Sequence, residues 1–252
     1  VRFLLRALLL ALLLAGPVAA GEKRSGYDDA GPQVRAMQDD DGANPAFLWV
    51  RQGEALWSRA EGAAGRACAD CHGAVTAMRG VAARYPAHDA GRGRVVTLEQ
   101  RVNHCRVAQQ GAPALPPEGD AMLGLTALIG LQSRGMPVSV DASGPAGAAM
   151  ARGEAFFRLR QGQLNLSCAQ CHDGLAGQSL AGSRIPQGHA NGYPIYRLEW
   201  QGMGSLFRRL RACLVGVRAE VPGRDDAVLA ELELYLAARA AGLAVETPGV
   251  RP

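Results

Sequence analysis

Two short motifs constrain this chain more than anything else in it: Cys68-Ala69-Asp70-Cys71-His72 and Cys168-Ala169-Gln170-Cys171-His172, set 100 residues apart. In C-x-x-C-H, two thiols three positions apart match the two vinyl groups on one side of a porphyrin. The adjacent histidine is then placed to coordinate iron. The pair of motifs predicts two covalently bound haem c groups, attached through Cys68, Cys71, Cys168 and Cys171. His72 and His172 are the expected proximal ligands. The competing readings are a redox dithiol, or a zinc site drawing cysteines from both motifs. Recurrence of the motif in a duplicated frame favours haem.

The duplication extends beyond the motifs. Gly53-Glu54-Ala55-Leu56-Trp57 maps onto Gly153-Glu154-Ala155-Phe156-Phe157 at the same offset. Insertions then accumulate but the order holds, and Arg101-Val102-Asn103-His104-Cys105 resembles Arg209-Leu210-Arg211-Ala212-Cys213. Each half closes with an apolar helix. The first is expected over 121–133, with Asp120 as N-cap and Gly135 as stop. The second is expected over 227–241, with Asp225 or Asp226 as N-cap and Gly242 as stop. In the second, Val228, Leu232, Tyr235 and Leu236 recur at spacings of three and four and form one apolar stripe.

The expected fold is mainly α: two tandem cytochrome c-like domains with extended loops, each built around a covalently attached haem. About 100 residues is a marginal size for an apolar core, and a haem solves this by serving as the core. The boundaries read as an export signal over 1–20, an extended N-terminal arm over 21–45 and domain 1 over 46–136. A linker over 137–145, domain 2 with the chemistry over 146–243 and a tail over 244–252 complete the chain.

The N-terminal stretch carries Arg2 and Arg6, an apolar run from Ala7 to Ala15, and small residues Val18-Ala19-Ala20 before Gly21. That is a secretory signal layout, and its apolar run is well short of the roughly 20 residues of a membrane-spanning helix. The expected location is the periplasm, with no membrane span. Without residues 1–20 the formal charge falls from +4 to +2, with 25 basic and 23 acidic residues left. Such balance argues against nucleic acid or an anionic membrane as partner. The local cluster Arg208-Arg209-Leu210-Arg211 stands out more than the total.

Six cysteines in an exported chain first suggest disulfides. Four belong to the haem motifs, which leaves Cys105 and Cys213. Methionine is the usual distal ligand of an electron-transfer cytochrome, and Met78, Met122, Met136 and Met203 are available, as are His88, His104 and His189. Cys105 and Cys213 occupy equivalent places downstream of each haem. They are open to two readings, a disulfide across the repeat or two axial thiolates that would lower the haem potentials.

These residues resemble the A subunit of the SoxAX cytochromes of sulfur-oxidising bacteria, over roughly residues 34–243. The first half carries the resemblance in the run from Gly93 to Arg106 and from Leu125 through Pro137. The second half carries it in Tyr196-Arg197-Leu198-Glu199-Trp200-Gln201, Gly204-Ser205-Leu206, Arg208 through Cys213, Val217 through Glu220, and Leu232 through Leu236. The family has one-haem and two-haem forms, and a chain with both motifs is similar to the two-haem form. The resemblance implies Cys105 and Cys213 as distal ligands of the first and second haems. It also implies Cys213, carrying an extra sulfur as a persulfide, as the catalytic group, and Arg209 as the substrate-binding arginine. The activity implied is an L-cysteine S-thiosulfotransferase, which oxidatively joins thiosulfate to a cysteine of the SoxYZ carrier. Two electrons pass through c-type haems to a soluble cytochrome c acceptor, and the SoxX cytochrome is the heterodimer partner.

Three rival readings remain at this level. A non-catalytic dihaem electron-transfer cytochrome would carry His/Met haems. A dihaem peroxidase would need one open distal position. A Cys105–Cys213 disulfide would leave the distal positions to histidine.

Overall fold

Each half is held together by one pair of crossed helices, and a glycine at each crossing sets how closely they approach. The computed structural model describes residues 22–252; the expected export signal over 1–20 lies outside them. The N-terminal region holds α1 (Pro32–Asp39). The first half continues with α2 (Phe47–Trp57), α3 (Cys68–His72), a hairpin of β1 (Ala87–Asp89) and β2 (Arg94–Val96), α4 (Leu98–Cys105) and α5 (Asp120–Leu131). The second half repeats the order with α6 (Gly147–Arg158) and α7 (Cys168–His172). A short hairpin of β3 (Ser179–Leu180) and β4 (Ser183–Arg184) follows, then β5 (Ile195–Arg197), β6 (Gly202–Gly204), α8 (Leu206–Gly216), α9 (Ala227–Arg239) and β7 (Gly249–Arg251).

In the first half α2 crosses α5, where a Cβ on Gly53 would lie 2.3 Å from the Gly124 carbonyl oxygen. In the second half α6 crosses α9, where a Cβ on Gly153 would lie 2.1 Å from the Glu231 carbonyl oxygen. No other residue permits backbones this close. Around the first crossing Val50, Leu56 and Trp57 bury against Leu123, Leu125 and Leu128. Around the second Phe157 packs on Leu232, Tyr235 and Leu236, its ring 5.2 Å from that of Tyr235.

The two closing helices depart from single-stripe amphipathicity. Along α9, the residues from Leu229 to Ala237 are buried except Glu233, whereas Val228 is only half-buried. The reason is tertiary: a second layer covers the face that a surface helix would leave wet. Val95 of β2, from the first half, packs on Ala230 and Leu234. The first half receives Met203 of β6 into its own core in turn.

Three expected segments differ. Residues 21–45 are not an extended arm throughout. Pro32 opens α1, where its fixed φ and missing N–H suit the first turn. The Gln38 side chain then accepts from the Val250 amide at 2.9 Å, and the Asn44 side chain donates to the Pro248 carbonyl at 2.9 Å. The C-terminal segment is not a loose tail, because β7 pairs in parallel with β5. The stretch 137–145 is not a free linker. The Val138 amide donates to the Leu243 carbonyl at 2.9 Å and the Ser139 amide to the Ala83 carbonyl at 2.8 Å, tying both halves to it.

Asp120, the expected N-cap, is instead the first residue of α5, and Gly119 occupies the N-cap position. Asp226 caps α9 by position, without a side-chain hydrogen bond. Gly135 and Gly242 both adopt positive φ past the closing helices, as the stop signals required.

Candidate cofactor and active site

Both C-x-x-C-H motifs form a single helical turn, and local capping fixes each. In α3 the Asp70 carboxylate accepts from the Ala67 amide at 2.8 Å. In α7 Ser167 and Gln170 cap reciprocally, at 3.3 Å to the Ser167 hydroxyl and 2.9 Å to the Gln170 side-chain oxygen. Each turn thus projects two cysteines and a histidine from a small rigid element. Trp57 backs the first turn. Its indole donates to the Gly73 carbonyl at 3.0 Å, and its ring sits 5.8 Å from that of His72.

Opposite α3 stands α4, whose N-cap Thr97 accepts from the Gln100 amide and whose last residue is Cys105. Cys68, Cys71, His72 and Cys105 line one cavity of about 270 Å³, floored by apolar side chains such as Leu125 and Ile129. Burial pushes the Cys68 and Cys105 thiols above their ordinary range, while Arg106 near Cys68 and Arg101 near Cys105 pull the other way. Met78 lines the same cavity. Met122 and Met203 are consumed by the apolar core, and Met136 packs against Gly80. His88 lies in β1, His104 contacts Arg92, and the His189 ring bonds the Arg24 carbonyl at 2.6 Å.

The second site has the same plan and a different electrical setting. The His172 Nδ1 lies 2.8 Å from the Pro186 carbonyl oxygen, so Nδ1 carries the proton and Nε2 is left with its lone pair free. Burial lowers the pKa of His172, and Arg209 and Arg239 nearby lower it further, so the neutral ring is held. Gly188 closes over this ring: a Cβ there would meet His172 at 3.1 Å. The Cys168 thiol is pushed up to about 11 by burial and by Cys213 beside it. Cys213 sits near the end of α8, whose N-cap Ser205 accepts from the Arg208 amide at 3.4 Å.

The donor chemistry fits haem c in both halves. Each offers a thiol pair and an imidazole on one wall and a further thiol from the Arg–Cys helix. All six cysteines are free, and the Cys105–Cys213 pairing is not made. Among the described residues no cluster of three or more His, Cys, Asp or Glu side chains is arranged for a lone metal ion, which counts against the zinc reading.

The arginine cluster of α8 divides by role. Arg208 stacks on Trp200, 4.3 Å from the ring centroid, and donates to the Met203 carbonyl. Arg211 is exposed. Arg209 is half-buried and influences His172, Tyr193 and Arg197. Among the described residues its side chain makes no hydrogen bond or ion pair. Its counterpart Arg101 is fully engaged, donating to Asp89 at 2.9 Å and to the Tyr85 hydroxyl at 3.3 Å.

A closer register of the halves, at 108 residues, was legible in the sequence but is carried by short matches. It superposes Tyr85-Pro86 on Tyr193-Pro194, Thr97 on Ser205, Arg101 on Arg209 and Cys105 on Cys213. The strands obey it residue for residue: Asp89 pairs with Arg94 in the first hairpin, and Arg197 pairs with Gly202 in the second. Tyr193 and Arg197 lie within the electrostatic reach of Arg209 and Cys213 and belong to neither C-x-x-C-H motif; this register is the sequence signal for them.

These sites and this fold define a c-type cytochrome. A family model described as SoxA/TsdA, cytochrome c domain, matches residues 52–138. The L-cysteine S-thiosulfotransferase subunit SoxA of Rhodovulum sulfidophilum is 40% identical over 231 residues, covering 91% of this chain and 80% of that protein. The SoxA subunit of Paracoccus pantotrophus is 38% identical, covering 90% and 78%. The crystal structure of SoxXA from P. pantotrophus superposes with a TM-score of 0.88 at 36% identity, covering 91% of this chain and 87% of that one. The chain belongs to the SoxA family of L-cysteine S-thiosulfotransferase subunits.

Proposed function

We propose that this chain is the catalytic subunit of a dihaem L-cysteine S-thiosulfotransferase, with two tandem cytochrome c-like domains and the chemistry in the second. The observation that carries this reading is the contrast between the two arginines. Arg101 is neutralised by Asp89, whereas Arg209 beside Cys213 is left without a partner. An unpaired guanidinium suits a compact oxyanion, because it offers a permanent charge and several fixed donors.

Cys68, Cys71 and His72 would hold the first haem with Cys105 opposite. Cys168, Cys171 and His172 would hold the second with Cys213 opposite. When bound, haem accepts one electron at a time and favours the thiolate form of a cysteine that ligates it. Arg209 orients the sulfonate end of thiosulfate so that its outer sulfur faces Cys213, the group proposed to carry a persulfide sulfur. A carrier cysteine thiol and thiosulfate become a carrier S-thiosulfonate, with one S–S bond formed and one proton and two electrons released. The thiol proton goes to solvent and the electrons to a soluble cytochrome c.

The partners proposed are SoxX, for which the likeness to a SoxXA structure is the support, and the SoxYZ carrier. The expected export signal supports a periplasmic location. A plain electron carrier has no use for an uncompensated arginine beside a free thiol.

The experiment is thiosulfate-dependent reduction of cytochrome c by the haem-loaded protein with its SoxX partner and SoxYZ, comparing wild type, Arg209→Gln and Arg101→Gln. We expect the KM for thiosulfate to rise at least tenfold in Arg209→Gln and to stay unchanged in Arg101→Gln. Equal effects of both variants, or no turnover by wild type, would remove the reading.

A further inference from the structure

The two halves superpose at 108 residues through one hairpin and the helix that follows it, and one charge changes sign between them. In the first half the hairpin ends on Asp89, whose carboxylate reaches across to Arg101 on α4 at 2.9 Å. In the second half the equivalent strand β5 ends on Arg197, and α8 carries Arg209 at the place of Arg101. A carboxylate that cancels an arginine has become a second arginine. The Arg197 side chain is only 13% exposed, so it is packed in rather than extended into solvent.

We infer that Arg197 is a second anion-positioning residue of this site, acting with Arg209 to hold a divalent oxyanion, thiosulfate or its sulfonate group, beside Cys213. This deepens the proposed activity and rests on it. Coulomb's law is the reason two cations are kept close: their mutual repulsion is relieved when a dianion sits between or beside them. Burial, and then Arg209, lower the proton affinity of Arg197. Tyr193, in the place of Tyr85, is half-buried nearby and feels both arginines and Cys213. Arg197 is held in a fixed position. Its Nε donates to the Pro252 carbonyl at 3.0 Å, and its guanidinium lies 5.2 Å from the Trp200 ring centroid. Its own counter-ion is Glu199 at 3.1 Å, which is 59% exposed and therefore a screened and weak competitor for a substrate dianion.

The inference separates Arg197 from a merely structural arginine by the way kinetics would split. Removing one charge-assisted contact to a bound anion costs about one order of magnitude in affinity. For Arg197→Gln in the haem-loaded complex with SoxX, we expect the KM for thiosulfate to rise about tenfold. The kcat at saturating thiosulfate and the haem absorption spectrum should stay at wild-type values. Arg197→Lys should restore most of the affinity by keeping the charge. Arg197→Asp, which recreates the first half's pattern, should raise KM beyond Arg197→Gln by pairing with Arg209.

A KM for Arg197→Gln within twofold of wild type would overturn the inference. So would a loss confined to kcat or haem content, or a failure of Arg197→Lys to recover binding. Wild type and Arg209→Gln run in the same assay. If they behave as proposed while Arg197→Gln is unchanged, this inference alone fails; if wild type does not turn over thiosulfate, the proposed activity fails with it.

Discussion

Gly188→Ala is a small change with a traceable consequence for the second haem site. Gly188 has φ +74°, and its missing Cβ leaves room for the His172 ring. Two costs follow from adding a methyl group. An L-residue in the left-handed region costs about 1–2 kcal/mol. The new Cβ would lie 3.1 Å from His172 Cγ and 3.2 Å from Nδ1, so the ring must give by a few tenths of an ångström. That ring is held by its 2.8 Å bond to the Pro186 carbonyl, so overpacking adds about 1 kcal/mol at the low end of its usual range. The total is about 2–3 kcal/mol. For a chain of this size it corresponds to a fall in Tm of about 4 to 12 °C. The assays are thermal denaturation of the haem-loaded protein and low-temperature electron paramagnetic resonance. The signal of the second haem should shift, because the tilt of His172 changes, while that of the first haem serves as internal control. A Tm within about 1 °C of wild type together with unchanged signals would refute the reasoning that Gly188 positions His172.

Other outcomes follow from the same geometry. Cys213→Met should replace a thiolate by a thioether and move the potential of the second haem upward, read by redox titration, with the first haem unchanged. Arg101→Gln should lower Tm modestly through the loss of the Asp89 and Tyr85 contacts, measured by the same melts, without touching thiosulfate affinity. Acid should weaken the first half through Glu61. Burial raises its pKa, but the Arg106 and Arg59 contacts outweigh this and hold it below the ordinary carboxylate range. A depressed carboxylate stabilises the fold above its unfolded value and loses that contribution as pH falls through the folded one. Melts taken from about pH 6 down to about pH 3 should therefore show a smaller decline in Glu61→Gln than in wild type.

Much of the candidate site was legible without coordinates. The two C-x-x-C-H turns, the repeated Arg–x–x–x–Cys and the closing helices are all local signals, each written within about five to fifteen residues. Their chemistry does not depend on what lies across the cavity. Capping residues such as Ser167 with Gln170, and Thr97 with Gln100, are likewise written in the chain.

What only the tertiary structure decided concerns partners distant in sequence. The helix α9 reads as one apolar stripe, yet Val95 from the other half covers a second face. The N-terminal region reads as an extended arm and the C-terminal segment as a tail, yet Gln38 and Asn44 bind them together across more than 200 residues. Arg101 and Arg209 look alike as sequence, and both stand four positions before a cysteine. Their difference lies in what faces them, Asp89 in one half and Arg197 in the other. Composition and periodicity record what a side chain is, whereas the charge it meets is settled by which strand the fold lays beside it. By itself, the sequence determined the two C-x-x-C-H turns and which cysteines are left over; the packing determined that Arg101 meets a carboxylate and that the Arg209 side chain does not.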